Sequence, residues 1–344
     1  MRPYFKTAIA AALVLALGGC AERTRPTEGD LSSIVIVPID SATESGVTGS
    51  GAADGGGSAV SHDEIISTDR TIPVGEKLTV YSGETLYIKD GATLTVDGEI
   101  NCANGAQIKL QSGGNLLLNG KMTLDGGLDL GGSLGIKESG EIAGNGVLNV
   151  LNSFDDINCE GMCRAKINAP APVEKDGVTY VGGVLIVNKK YAVPEDYGAE
   201  LGLVIDEAYD TLLQMREDTG YSLPLVSGYR SYELQTELFN YYCDIDDLDR
   251  VEMYSARPGH SEHQTGLAMD IGELSENYVD TVEGGWLTAN CYKYGFIIRY
   301  PKGSEQKTGY DYEPWHIRWL GKSTAKLVYD SGLTLEEFLG VEPT

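Results

Sequence analysis

An α+β domain preceded by a small all-β domain, most simply a β-solenoid, is the architecture the sequence predicts. Three observations predict it. Short apolar triplets punctuated by glycine recur every six or eight residues between positions 70 and 152. From about residue 181 the glycine punctuation stops, and stretches of helical periodicity alternate with short apolar runs. Ahead of both lies a segment too rich in Gly, Ser, Thr and Asp to bury a core. The expected boundaries are a signal over 1–19, a tether over 20–68, the all-β domain over 69–155, a linker over 156–180 and the α+β domain over 181–342.

The opening residues have the form of an export signal. Arg2 and Lys6 supply a positive start, and "TAIAAALVLALGG" is too short an apolar run to span a bilayer comfortably. The run ends in "LGGC", which resembles the lipobox of bacterial lipoproteins. That resemblance implies cleavage before Cys20 and lipidation of its thiol, holding the protein to the extracytoplasmic face of a bacterial membrane in the cell envelope. Each buried methylene of such an anchor contributes roughly 0.8 kcal/mol. The tether that follows, treated as a flexible coil, reaches on the order of 40 Å.

In the all-β region the triplets "LTV" at 78, "LYI" at 86, "LTV" at 94, "IKL" at 108, "LLL" at 116, "LDL" at 128, "LGI" at 134 and "LNV" at 148 alternate with period two, as strands do. Three steps sum to about 22 residues, which fits three short strands per coil with glycine or Asn-Gly at the corners. A β-sandwich is the second choice. The region holds no cluster of acids, bases or ligands, so it is expected to serve placement, and a chain begun near residue 175 is expected to keep its activity.

Further on, "AELGLVIDEAYDTLLQM" sets Leu201, Val204, Ile205, Ala208, Leu212 and Met215 on one helical face. "LPLVSGYRS" is a strand running into a turn, and "YELQTELFNYY" is the helix after it. "GWLTANCYKYG" is helical to Gly295, and "FIIRYP" is a strand closed by Pro301.

Composition excludes one class of partner. With a net charge of −25 and a pI near 4.4, the chain lacks the basic face that nucleic acid requires. Five cysteines remain after Cys20, and Cys159–Cys163 and Cys243–Cys291 are conceivable disulfides.

Chemistry concentrates in "GHSEHQTGLAMD", residues 259–270, which holds two of the four histidines of the chain just ahead of an acid. If His263 and Asp270 bind a metal, an open catalytic site needs a third protein ligand. His62 lies in the tether, which leaves His316 of "EPWHIRW" as the candidate, with Glu313 at E-x-x-H spacing beside it.

These residues resemble the zinc D-Ala-D-Ala carboxypeptidases and dipeptidases of the VanY and VanX type. The resemblance covers roughly 181–340 and includes "LIVNKKY", "SGYRSYELQ", "PGHSEHQTGLAMDI", "YGFIIRYPKG" and "GYDYEPWHIRW". The S-x-H-x-x-G-x-A-x-D signature stands as Ser261, His263, Gly266, Ala268 and Asp270, and E-x-W-H as Glu313, Trp315 and His316. It implies one Zn2+ held by His263, Asp270 and His316, with Glu313 as general base and acid. Arg230 becomes a charge partner for the substrate carboxylate or the oxyanion. Gln235, Ser261 and Tyr300 become polar substrate contacts, although Ser261 suits a turn equally well. His260 is implied to be a hydrogen-bonded neighbour. The implied activity is removal of the terminal D-alanine from peptidoglycan stem peptides, with an L,D-carboxypeptidase acting on tetrapeptide stems as the alternative.

Two rivals are weaker. "STAK" at 323, "SEN" at 275 and "KTG" at 307 match motifs of penicillin-binding serine peptidases, but the nucleophile motif comes last where it should come first. An inactive wall-binding lipoprotein would have no reason to keep all three ligand types together with Glu313.

Overall fold

The computed structural model describes residues 63–344. The signal, Cys20, His62 and nearly all of the tether lie outside the described residues.

Strands of two to four residues build three parallel sheets of six, five and five strands, so the amino-terminal domain is a β-solenoid and not a sandwich. Equivalent residues stack from rung to rung. Leu86 pairs with Ile108, Ile108 with Leu128, Leu128 with Leu148 and Leu148 with Ile167, in steps of 22, 20, 20 and 19 residues. Alternation explains the core: in Thr93–Val96 and Asn115–Leu118 every second residue is buried, giving apolar columns such as Leu94–Leu116–Leu134–Ile157. Corner glycines are required by close approach. A Cβ on Gly120 would lie 2.0 Å from the Gly98 carbonyl oxygen of the rung before it.

The repeats run from Glu64 to Asn168, beyond the expected limits of 69 and 155. Much of the expected linker is therefore the last rung, Ile157–Cys159, Met162–Cys163 and Lys166–Asn168. Its shorter strands and the polar "NCEGMC" texture conceal the period. A three-stranded antiparallel meander, Val173–Lys175, Val178–Val181 and Val184–Ile186, follows.

The carboxy-terminal domain is α+β. Its antiparallel sheet has the order Leu225–Ser227, Ala268–Ile271, Glu313–Trp319, Phe296–Tyr300. One face is covered by the helix Asp206–Thr219 through Ala208, Leu212 and Met215. That helix starts later than its periodicity suggests: Ile205 is extended, and its N–H donates to the Gly266 carbonyl, so Leu201 and Val204 precede the helix. The helices Tyr232–Ile245 and Val282–Asn290 lie where expected, and Gly295, at φ 100°, ends the 3-10 turn that extends the latter.

The two domains share one core. Ala325, Leu327 and Val328 of the helix Lys322–Ser331, with Leu335, Phe338 and Leu339 of the last helix, join Phe154, Ile157, Cys159 and Cys163 of the solenoid end in one buried cluster. The Phe154 and Phe338 rings lie 5.2 Å apart, and the Cys159 N–H donates to Ser323 Oγ at 3.1 Å. A chain begun at residue 175 would therefore expose this apolar helical face.

All five cysteines of the described residues are unpaired thiols, so neither conceivable disulfide forms. Cys102, Cys159, Cys163 and Cys291 are buried as small apolar side chains, while Cys243 is exposed.

Candidate active site

Local structure explains how three candidate ligands converge. His263 sits in the 3-10 turn Glu262–Thr265, which Gly266 ends at φ 68°, a conformation that favours glycine. Asp270 lies on the next strand, and its Cα partner on the neighbouring strand is His316. Directly opposed residues of an antiparallel pair present their side chains on one face. Glu313 begins the same strand as His316, where a register shift relative to Phe296–Tyr300 brings its carboxylate round.

One ligand atom from each of His263, Asp270 and His316 falls within 4.8 Å of the others, and all three residues are buried. His263 Nδ1 lies 2.7 Å from the Gly228 carbonyl, which can only accept, so Nδ1 carries the proton and Nε2 presents a lone pair 3.3 Å from Asp270 Oδ2. His316 turns the other way. Its Nδ1 is 3.3 Å from Asp270 Oδ1 and 3.6 Å from Glu313 Oε2, and its Nε2 is 3.5 Å from Glu262 Oε2.

Electrostatics suit a cation. Burial pushes the pKa of His263 down, which keeps its imidazole neutral and able to donate a lone pair. Burial would also lower His316, but Asp270 and Glu262 outweigh it and raise the group to about 9. Burial would raise Asp270, yet His263 and His316 hold it well below the usual carboxylate range. Asp270 Oδ1 is buried without a hydrogen-bond partner, a costly arrangement for an anion unless a cation faces it. Two imidazole nitrogens and a carboxylate are a donor set that fits zinc with a fourth position open.

Arg230 closes one side. Its guanidinium donates to Gln235 Oε1 at 2.8 Å and Ser227 Oγ at 3.1 Å and comes within 3.9 Å of Asp270 Oδ2. Gln235 stands in contact with that arginine. It is fully buried behind Arg230, and its amide N–H donates to the Ala256 carbonyl at 2.6 Å, so it holds the arginine in place. Ser261 lines the cleft and makes no side-chain cap to the turn it precedes. Tyr300 also lines it, its ring 4.9 Å from that of His316, and burial raises its pKa so that the hydroxyl stays a donor. His260 is fixed by the Asn188 carbonyl, 2.8 Å from Nδ1, and stands outside the triad.

Sequence reasoning missed the supports. Glu262 is held deep in the fold by Arg299 and Arg318 and faces the far side of His316. The Gly228 carbonyl is a backbone group that no side-chain motif specifies, and Ser227, although it opens "SGYRSYELQ", was given no role there. Arg299 gave a usable signal, a charge inside the apolar run "FIIRYP". The serine-peptidase motifs are scattered: Ser323 bonds to the solenoid, Ser275 caps a 3-10 turn, and Lys307 pairs with Glu337 at 2.8 Å.

A buried two-histidine, one-aspartate triad with an adjoining glutamate and arginine, mounted on an antiparallel sheet, defines the class of mononuclear metallohydrolases. The profile of the VanY D-alanyl-D-alanine carboxypeptidase family matches residues 199–322. The chain is 34% identical over 194 residues to a D-alanyl-D-alanine carboxypeptidase of Enterococcus faecalis, covering 51% of this chain and 72% of that one. It belongs to this family. It is also 41% identical over 178 residues to YodJ of Bacillus subtilis, spanning 44% of this chain and 65% of that relative. An L,D-carboxypeptidase structure, DacB from Streptococcus pneumoniae, matches with a TM-score of 0.44 and 37% identity over 50% of this chain and 96% of that one.

Proposed function

We propose that this chain is a zinc-dependent D-alanyl-D-alanine carboxypeptidase that removes the terminal D-alanine from peptidoglycan stem peptides at the outer face of a bacterial membrane. The observation that carries this reading is the convergence of the His263, Asp270 and His316 ligand atoms within 4.8 Å, with Glu313 Oε2 3.6 Å from His316. Family membership supplies the substrate class. The lipobox-like "LGGC" supports attachment through Cys20.

Zinc held by the triad would supply Lewis-acid polarisation of the scissile carbonyl and lower the pKa of an attacking water. Glu313 accepts a proton from that water as the oxygen adds to the carbonyl carbon. It then returns the proton to the departing amine, so the C–N bond breaks to give free D-alanine and a shortened stem. Arg230 faces the cleft with its fork already fixed by Ser227 and Gln235, and so meets developing negative charge without reorganising. Tyr300 offers a protonated hydroxyl in the same wall.

An L,D-carboxypeptidase acting on tetrapeptide stems would use the same residues. Purified protein should release D-alanine from a pentapeptide stem ending in D-Ala-D-Ala faster than from the corresponding tetrapeptide. The reverse ranking would replace the D,D assignment with the L,D one, and loss of activity on both would reject the carboxypeptidase reading. For the anchor, Cys20→Ser should abolish incorporation of labelled fatty acid and release the protein from membranes.

A further inference from the structure

Four charged side chains lie beneath the triad, each no more than 2% exposed: Glu262, Arg299, Arg318 and Glu336. Arg299 Nε donates to Glu262 Oε1 at 2.7 Å, and its terminal nitrogens donate to Glu336 at 2.9 and 2.5 Å. Arg318 donates to the same Glu262 oxygen at 2.7 Å and to the Leu185 carbonyl at 2.7 Å. Both arginines thus engage Oε1. Oε2 is left facing His316 Nε2 at an ion-pair distance of 3.5 Å, and neither atom has a hydrogen-bond partner. Burying four charges is costly and a cruder apolar core would stabilise the fold as well, so the arrangement calls for a positional explanation.

The ends of this chain of charges supply one. Glu262 directly precedes the ligand His263 and faces the ligand His316. Glu336 belongs to the last helix, Leu335–Leu339, whose Phe338 packs on Phe154 of the solenoid end. Asn188 Nδ2 also donates to Glu336 at 3.4 Å. With Glu336 seated, Arg299 is shared between two carboxylates, and Glu262 keeps Oε2 turned to the imidazole. That contact fixes the His316 ring with Nδ1 toward Asp270. With Glu336 displaced, Arg299 is left to Glu262 alone, and its fork competes with His316 for Oε2.

We propose that Glu262, Arg299 and Glu336 are positioning residues that transmit the docking of the last solenoid rung to His316, so that the metal site is fully formed only when the last helix is seated. The proposal rests on metal binding by the triad. It gives the solenoid a role in the catalytic centre besides that of a spacer.

Coupling between two sites is reciprocal, so metal binding must in turn steady the helix and the rung it docks on. The test is hydrogen exchange on the full-length protein in detergent, chelated and zinc-loaded, with metal content measured on the same samples. Zinc should slow exchange in peptides covering 335–339 and 154–163 and leave the central rungs near 107–130 unchanged. In parallel, Glu336→Gln and the milder Phe338→Leu should weaken zinc binding about tenfold by chelator competition, the lower end for loss of an outer-shell support. A purely structural role would lower the melting temperature without moving zinc affinity in the folded protein. Zinc uptake with no protection at 335–339 and 154–163 overturns the relay while leaving the metal site intact. Failure to take up zinc at all overturns the metal reading and the relay with it. Should Glu336→Gln not fold, the wild-type exchange pattern and Phe338→Leu still decide.

Discussion

The shared core between solenoid and catalytic domain makes a quantitative prediction about Phe154. Its ring is 1% exposed, meets Phe338 at 5.2 Å, and is wedged so closely that a Cβ on Gly182 would lie 2.8 Å from it. Little room exists for neighbours to collapse into the space a smaller side chain would leave. Phe154→Ala should therefore cost about 3–5 kcal/mol, a large share of the roughly 5–15 kcal/mol that holds a typical domain. Phe338→Ala should cost a similar amount. The double variant should fall short of the sum by at least the 0.5–1.5 kcal/mol that an aromatic pair adds beyond burial. Urea unfolding followed by tryptophan fluorescence is the decisive assay, because all three tryptophans, Trp286, Trp315 and Trp319, belong to the catalytic domain. Removing a solenoid residue should lower the midpoint those tryptophans report. If Phe154→Ala left the fluorescence midpoint in place while circular dichroism showed an early solenoid transition, the shared core would contribute nothing to the stability of the catalytic domain and the reasoning would be wrong.

Three further outcomes are expected. Glu313→Gln should keep zinc and fold while the turnover number falls roughly 10²- to 10⁴-fold, whereas His263→Ala should lose the metal too; metal analysis beside kinetics separates the roles. Chelation should abolish activity and zinc restore it, with no covalent labelling of Ser323 by a β-lactam in mass spectra. In protein carrying Cys20→Ser, only Cys243 should react quickly with a disulfide reagent at pH 8. Burial pushes the thiols of Cys102 and Cys163 to about 11 and of Cys159 and Cys291 to about 12, so their thiolate forms are absent until the pH nears those values.

The candidate metal triad was legible because its chemistry is rare in this chain. Four histidines leave few ways to complete a site, and His263 and Asp270 stand close in sequence. The solenoid was legible because an inward-facing triplet must recur once per face, and stacking forbids the period to drift far. Its last rung was not, because the residues there pack on helices as well as on the rung before. Cys159 and Cys163 take places that leucine or isoleucine hold earlier, as in the column Val96–Leu118–Ile136–Cys159. A repeat loses its periodic signature where its neighbour stops being another repeat. The contact between Gln235 and Arg230 was illegible for a related reason: nothing local in the motif says which side chain an amide will hold.

The buried charges show the remaining limit. Arg299 is fully buried in a strand whose neighbours Ile297 and Tyr300 are apolar or aromatic, so its burial is predictable from position. Its partners are not, because Glu262 lies 37 residues before it and Glu336 lies 37 after it, on elements with no shared periodicity. An arginine there would be strongly destabilising with either carboxylate removed, since the other partner alone leaves part of its fork unsatisfied. The sequence must therefore keep all three together or replace all three. That constraint ties the last helix to the turn that carries His263. It also explains why the metal-site motif is accompanied, far along the chain, by an acidic residue on a helix with no chemistry of its own.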